Sequence, residues 1–188
     1  MDVAYRGDAG AGAAVVLSYP GLEVLETKTI LGKALVPYMP TFLAFREMSF
    51  LFKLFSRLDE EPSLFFINGH GVYHPAGLGL ASHFGVAFGV PTIGVAGSLL
   101  RLKGQILDGR SVCVSGRKVC CAIREKDEND GCRAKGKVSY VSAGHRISLE
   151  RAVEVARSCF RGHSTPEPLF LADQISKKTI GSAGVYGQ

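Results

Sequence analysis

The sequence predicts an α/β fold in which a mixed sheet, with three antiparallel strands followed by parallel strands, carries helices on both faces. Three short runs at residues 3–5, 13–18 and 22–30 open the chain, and the last alternates apolar and polar residues as a half-buried strand does. The turns between these runs are short, which favours antiparallel hairpins. Residues 64–67 and 91–95 are apolar runs separated by a helical pattern, and such a unit implies parallel pairing through a right-handed crossover.

Helices are predicted where apolar residues recur at helical spacing or where capping residues begin a pattern. Residues 43–58 and the glycine-rich residues 77–88 fit the first description. Ser148 can cap a helix that runs to about residue 161, with Glu150 in its first turn, where the helix dipole favours an acid. A last short helix is expected over residues 169–178.

Later strands or hairpin arms are expected at residues 112–114, 119–123 and 137–141, where β-branched and apolar residues cluster. The polar segment 125–135 between the last two is predicted to be a mobile loop. In a sheet of this kind, ligands bind beyond the carboxyl ends of the central strands. The NGHG sequence that begins at Asn68 stands at such an end.

Length and composition indicate one globular domain over residues 1–188. Hydrophobic residues make up 46% and charged residues 21%, which excludes a disordered chain. No apolar run approaches the ~20 residues that span a bilayer, and the first residues lack a secretory signal. We therefore expect an intracellular, cytoplasmic protein with no membrane partner, and a monomer; a nuclear location is the alternative in a eukaryote.

The net charge of +5 is compatible with a polyanionic partner but also with a merely basic surface. The five cysteines form an odd set in a chain without a secretion signal, which favours reduced thiols. Zinc is the less favoured reading because the C-x-x-C pairs of a zinc site are missing. These cysteines are Cys113, Cys120, Cys121, Cys132 and Cys159.

Three acids are candidates for a site that cleaves phosphodiester bonds with a divalent cation. Such chemistry needs carboxylates that converge from different elements, because hard cations prefer oxygen ligands. The candidates are Asp2, Glu47 and Asp173. Each of them alone also fits an ordinary solvated acid, although Glu47 stands among Phe45 and Met48, where an unpaired charge would be costly.

Seven blocks of the chain resemble the endonuclease V family in order and spacing, and together they cover nearly the whole chain. They are DVAY from Asp2, PYMPTFLAFRE from Pro37, NGHG from Asn68, GLASH from Gly79, PTIGVA from Pro91, SAGHRIS from Ser142, and PEP with LAD from Pro166. This resemblance implies a ribonuclease H-like fold and an endonuclease that recognises inosine in DNA or in single-stranded RNA. It also implies hydrolysis of the second phosphodiester bond 3′ to the inosine, with Mg²⁺ or Mn²⁺ as cofactor.

The resemblance assigns expected roles to individual positions. The catalytic set is Asp2, Glu47, Asn68 and His145, and the metal ligands are Asp2, Asn68, Glu47 and Asp173. The wedge that opens a duplex is Pro37, Tyr38, Met39 and Pro40. The pocket for the flipped base is Leu43, Gly69, His74, Gly79 and Leu80. From the residues alone, His145 fits a structural histidine equally well, and Pro37 to Pro40 fit a rigid proline turn.

The chain departs from the family pattern at three places. Asn68 stands where the family has a metal-binding aspartate, and an amide brings no negative charge. Gly97 stands where the family has a lysine, and the chain begins at Met1-Asp2 without the usual N-terminal helix. Three hypotheses follow: an active or weakened metal-dependent endonuclease, a catalytically inactive inosine-binding protein, or a structural module on the same fold.

Overall fold

A computed structural model describes residues 1–125 and 138–183 of the protein. Cys132 and nearly all of the polar segment 125–135 lie outside the described residues. The strands are β1 (Asp2–Arg6), β2 (Ala9–Leu17), β3 (Val24–Lys33), β4 (Phe65–Asn68), β5 (Thr92–Ala96), β6 (Gln105–Asp108), β7 (Ser111–Val114), β8 (Arg117–Ile123) and β9 (Ser139–His145). The helices are α1 (Leu43–Phe55), α2 (Leu80–Phe88), α3 (Leu149–Ser158) and α4 (Glu167–Ala183).

The first three strands form an antiparallel sheet in the order β1-β2-β3, as predicted. Asp2 lies opposite Ala13 at the start of β1. Small residues in β2 allow α1 to pack closely on this sheet. A Cβ on Gly10 would lie 2.6 Å from the ring of Phe50 of α1, so only glycine leaves room for that ring.

The remaining strands form a six-stranded sheet in the order β4-β5-β9-β8-β7-β6. The predicted parallel pairing of β4 with β5 is confirmed, whereas β9 runs antiparallel to β5. β9 also pairs antiparallel with β8, so the same direction of β9 serves both of its neighbours. β6 was not predicted, because this short edge strand exposes its apolar Ile106 and Leu107 and lacks a buried pattern.

The chain start connects the two sheets. The main-chain nitrogen of Met1 donates to the carbonyl of Phe66 over 2.7 Å, and the amide of Asn68 donates to the carbonyl of Met1 over 3.2 Å. A residue that donates to one neighbour of its partner residue and accepts from the other neighbour shows the pattern of parallel strands. These bonds place the side chain of Asp2 beside the end of β4.

Helices cover both faces of the central strands. Alternation along β4 directs Phe65 and Ile67 into the core beneath α1 and α2, and Phe66 into the core beneath α3. Ser148 caps α3 by accepting a hydrogen bond from the amide of Arg151, as the sequence predicts. The architecture agrees with the ribonuclease H-like fold that the resemblance implies. Within the described ranges, every helix is too short or too polar to cross a membrane.

Candidate active site

A cavity of about 280 Å³ opens at the carboxyl end of β4. It is lined by most of the residues that the sequence assigned to the metal site, the wedge and the base pocket. These are Asp2, Tyr38, Leu43, Glu47, Asn68, Gly69, His74, Gly79 and Leu80. A larger cavity of about 680 Å³, near Phe65 and Pro91 at the opposite strand ends, contains none of the predicted site residues. The predicted site residues therefore converge on the smaller cavity and not on the larger one.

Asp2 is held in a fixed orientation at the edge of this cavity. It is only 5% exposed, and each of its carboxylate oxygens accepts one hydrogen bond. The Asn68 amide nitrogen donates to Oδ1 over 2.5 Å, and the Ser176 hydroxyl of α4 donates to Oδ2 over 3.0 Å. A carboxylate that accepts two such bonds is preorganised, because its rotation would break both.

Glu47 is a second buried carboxyl group in the same cavity, with 7% of its surface exposed. Its burial, and then the negative charge of Asp2, raise its pKa to about 8, against the opposing effect of Arg46. Arg46 anchors the first turns of α1, because its guanidinium donates to the carbonyl of Val36 over 2.7 Å and lies 4.2 Å from the ring centroid of Tyr5. Two carboxyl groups are thus kept close together in a poorly solvated place.

Substitution of Glu47 by glutamine is expected to remove a pH dependence of stability. The carboxyl group titrates near 4.5 in the unfolded chain and near 8 in the fold, so the unfolded chain holds fewer protons between these values. Wild-type stability therefore falls as pH rises through this window, by an amount on the order of a few kcal/mol. Glu47→Gln does not ionise, so we expect the variant to gain stability relative to wild type as pH rises.

Urea unfolding between about pH 5 and about pH 8, with a chelator present, measures this difference. Glu61→Gln is the matched control, because Glu61 is exposed and its substitution should leave the slope of stability against pH unchanged. Parallel curves for wild type and Glu47→Gln would contradict the expectation.

The residues at this cavity fit a divalent cation in part. Two buried carboxyl groups, of which Asp2 raises the pKa of Glu47, form the kind of site that a dication stabilises, and the Asn68 side-chain carbonyl would be a third oxygen ligand. The fit is incomplete because Asn68 presents its amide nitrogen to Asp2, and a nitrogen donor cannot bind a metal. Within residues 1–125 and 138–183, no three histidine, cysteine, aspartate or glutamate side chains group together as ligands.

His145 does not line this cavity, and its assignment as a catalytic residue stays a prediction. It is the last residue of β9 and pairs with Thr92, the first residue of β5, whereas Asn68 pairs with Val95. The antiparallel direction of β9 thus carries His145 about 10 Å away along the strands. Its Cβ packs against Gly85 of α2, where an added Cβ would approach it to 2.4 Å.

Asp173 lies near the cluster without joining it. It precedes Ser176 by three residues on α4, and its carboxylate forms an ion pair with Lys177 at 2.7 Å. It does not line the cavity. Its assignment as a metal ligand stays a prediction.

The predicted wedge, Pro37 to Pro40, forms an exposed tip above the cavity. Tyr38 is 66% exposed, and Pro37, Met39 and Pro40 are exposed beside it. Thr41 adopts a left-handed conformation with φ of 68°, which an L residue rarely adopts without support. His74 supplies that support, because its Nε2 lies 2.9 Å from the Thr41 carbonyl. The predicted pocket residue His74 thereby ties the wedge to the cavity wall.

Glycines bring the backbone close together behind the cavity. A Cβ on Gly79 would lie 2.3 Å from the His70 carbonyl, and one on Gly69 would lie 3.1 Å from Leu80. Gly97 differs, because an added Cβ there would meet nothing within 4 Å. The cavity wall therefore has open space at position 97. Glycine places no positively charged side chain in that space.

Sequence reasoning missed two side chains at this site. Ser176 is separated from Asp2 by 174 residues, and no local pattern connects them. His70 lines the cavity, and burial lowers its pKa to about 4, so its ring is neutral at physiological pH. The short glycine-flanked sequence around His70 was visible, but its burial was not.

Comparisons with known proteins identify relatives over almost the whole chain. The Endonuclease V family model matches residues 1–174. The crystal structure of the catalytic domain of human endonuclease V has 32% sequence identity and a TM-score of 0.85, and covers 97% of this chain and 81% of that chain. Endonuclease V from Streptomyces avermitilis has 32% identity and a TM-score of 0.83, with coverage of 97% and 80%. Ciona intestinalis endonuclease V, in complex with DNA that contains an inosine followed by a ribo-adenosine, has 27% identity and a TM-score of 0.84, with coverage of 97% and 84%.

Proposed function

This chain belongs to the endonuclease V family and is an endonuclease, and from that premise we propose that it recognises inosine in DNA or single-stranded RNA and hydrolyses the second phosphodiester bond on its 3′ side. The observation that carries the proposal is one cavity lined by Asp2, Glu47 and Asn68 together with the wedge residue Tyr38. An enzyme that cleaves a strand next to a displaced base needs its catalytic groups and its wedge at the same cavity.

We propose that Asp2, Glu47 and the Asn68 carbonyl hold Mg²⁺ or Mn²⁺. A bound divalent cation activates water and stabilises the leaving oxygen. The hydrogen bonds from Asn68 and Ser176 orient Asp2 before any ligand arrives. Glu47, on the facing helix, orients the attacking water from its buried position.

The apolar part of the cavity accepts the base. Leu43 and Leu80 supply apolar walls, and the glycine backbone at Gly69 and Gly79 allows a flat ring to approach closely. A protein pocket of this kind reads a flipped base through hydrogen bonds to its edge and through stacking. The related Ciona structure contains inosine DNA, which supports the same class of substrate for this chain.

An inosine-binding protein without cleavage is the second candidate function. Two observations favour it: the amide of Asn68 adds no negative charge to the cation site, and Gly97 offers no cation toward a phosphate. Recognition would remain intact, because Asn68 and Gly97 belong neither to the proposed wedge nor to the proposed base pocket.

The test is cleavage of matched DNA and RNA strands that differ only in inosine or adenosine, with Mg²⁺, Mn²⁺ or a chelator. The proposal expects a cut at the second bond 3′ to inosine that needs the cation. Selective binding of inosine strands without any cut would establish the second function. Equal binding of inosine and adenosine strands would overturn both.

Substitution of Tyr38 by alanine is expected to weaken inosine preference on duplexes far more than on single strands. Removal of the exposed ring leaves nothing to fill the gap beside a displaced base, and opening a paired step costs a few kcal/mol. Affinity for inosine duplex should fall about tenfold or more. Leu35→Ala is the control, because Leu35 is exposed but does not line the cavity. An unchanged duplex preference in Tyr38→Ala would exclude a wedge role.

A further inference from the structure

Two exposed rings and one partly buried ring form a surface beside the cavity, which we call the aromatic shelf: Phe42, Phe45 and His83. Phe42 is 50% and Phe45 is 63% exposed, in contrast to the buried Phe50 and Phe84. The rings of Phe42 and Phe45 have centroids 5.8 Å apart. The ring of His83 stands edge-on to Phe45 at 6.2 Å. An exposed aromatic cluster at a cavity mouth marks a binding surface.

The aromatic shelf continues directly from the cavity wall. Phe42 and Phe45 flank Leu43 and Ala44, which line the cavity on the α1 side. On the α2 side, the amide of His83 donates to the carbonyl of Gly79, another lining residue, over 2.8 Å. A strand whose inosine enters the cavity therefore has its neighbouring nucleotides within reach of these rings.

From this continuity we propose that the aromatic shelf stacks an unpaired nucleobase adjacent to the inosine, and so favours single-stranded substrate. The inference rests on the proposed function and adds the strand form that the site prefers. Aromatic side chains hold single strands by stacking, which tolerates any base because every base has a π-face. In a duplex the neighbouring base is already stacked and paired, so the shelf gains little there.

A nucleobase fits this surface better than a second copy of the chain. Two half-exposed phenylalanine rings and the partly buried His83 ring offer on the order of 300 Å² of contact, well below the about 800 Å² per partner that a stable interface needs. The net charge of +5 also favours a polyanionic strand.

The test measures affinity for a single-stranded inosine oligonucleotide by fluorescence anisotropy, with a chelator present so that no strand is cut. Phe45→Ala is expected to weaken binding about tenfold. Phe45→Trp should keep the affinity, because it keeps a ring. Phe45→Leu should lose it like alanine, although leucine preserves apolar surface. Phe52→Ala is the matched control: Phe52 lies two turns further along the same helix and is 55% exposed.

A second measurement locates the stacked base. Oligonucleotides with an abasic residue on the 5′ or the 3′ side of the inosine remove one potential partner at a time. At one of these positions, wild type and Phe45→Ala should bind equally well. If no position equalises them, if leucine restores binding, or if Phe45→Ala and Phe52→Ala behave alike, the shelf does not stack a base.

These outcomes are separable from failure of the proposed function. A wild-type protein that does not prefer inosine over adenosine would overturn the proposed function itself. If the wild-type protein prefers inosine and Phe45→Ala binds the single strand as tightly as wild type, only the proposed role of the aromatic shelf is overturned.

Discussion

Replacement of Asn68 by aspartate is expected to raise cation-dependent cleavage of an inosine strand by about a hundredfold or more. In the wild-type protein, the Asn68 amide nitrogen occupies Asp2 Oδ1, an oxygen that a cation needs. An aspartate removes that donor and adds a negative charge beside Asp2 and Glu47. Both changes strengthen the attraction of a dication and its ability to stabilise charge in the transition state.

The same substitution should lower stability when no cation is present. Two carboxylates would then stand at the 2.5 Å contact that now joins Asn68 and Asp2, and like charges in a buried place repel. Added Mg²⁺ should raise the melting temperature of Asn68→Asp more than that of wild type. The control variant, Asn68→Asp combined with Asp2→Asn, restores the original charge but lacks the proposed ligand Asp2, so it should lose the gain in cleavage.

Equal inertness of wild type and Asn68→Asp, with inosine selectivity kept in both, would contradict this expectation. The protein would then bind inosine without cleaving the strand, and the missing charge at position 68 would not be the cause of weak cleavage. Equal and high activity of both proteins would show that an amide oxygen suffices at position 68.

Substitution of Gly71 by alanine should cost about 3 kcal/mol or more of unfolding free energy. An added Cβ would lie 1.9 Å from the carbonyl oxygen of Ala143 on β9, and this neighbour is backbone that cannot rotate away. The segment is also fixed there, because the Gly71 amide donates to Ser142 Oγ and the Val72 amide donates to the Ala143 carbonyl. Urea denaturation measures the loss.

Gly97→Ala is the matched control, because it makes the same chemical change at another glycine. An added Cβ at Gly97 has no atom within 4 Å, so the change in unfolding free energy should stay within about 0.5 kcal/mol. Similar urea midpoints for both variants would contradict this prediction, because the backbone of β9 would then move away from the added Cβ at little cost.

The sequence predicted strands and helices correctly where a pattern of apolar residues or a capping residue was clear. The alternation in β3, the apolar runs of β4 and β5, and the Ser148 cap of α3 all correspond to elements of the structure. The pattern placed the first helix to residue 58 and the last one to residue 178, whereas α1 ends at Phe55 and α4 runs to Ala183. Helix ends depend on packing, which a single sequence does not contain.

The site was predictable only as far as its residues belong to recognisable blocks. Asp2, Glu47 and Asn68 stand in such blocks, and the structure brings them to one cavity. His145 also stands in one, but its position depends on the direction of β9, which a strand pattern does not specify. Ser176 had no signal at all, because a hydroxyl that orients a distant carboxylate leaves no spacing to detect.

The hydrogen bonds around Asp2 connect parts of the chain that are far apart in order of synthesis. Asn68 and Ser176 reach it across 66 and 174 residues, so two long loops must close before both carboxylate oxygens have their donors. Docking of α4 therefore completes the centre that would cut a strand. A partly folded chain with this helix undocked is expected to bind nucleic acid through its net positive charge and yet leave every phosphodiester bond intact.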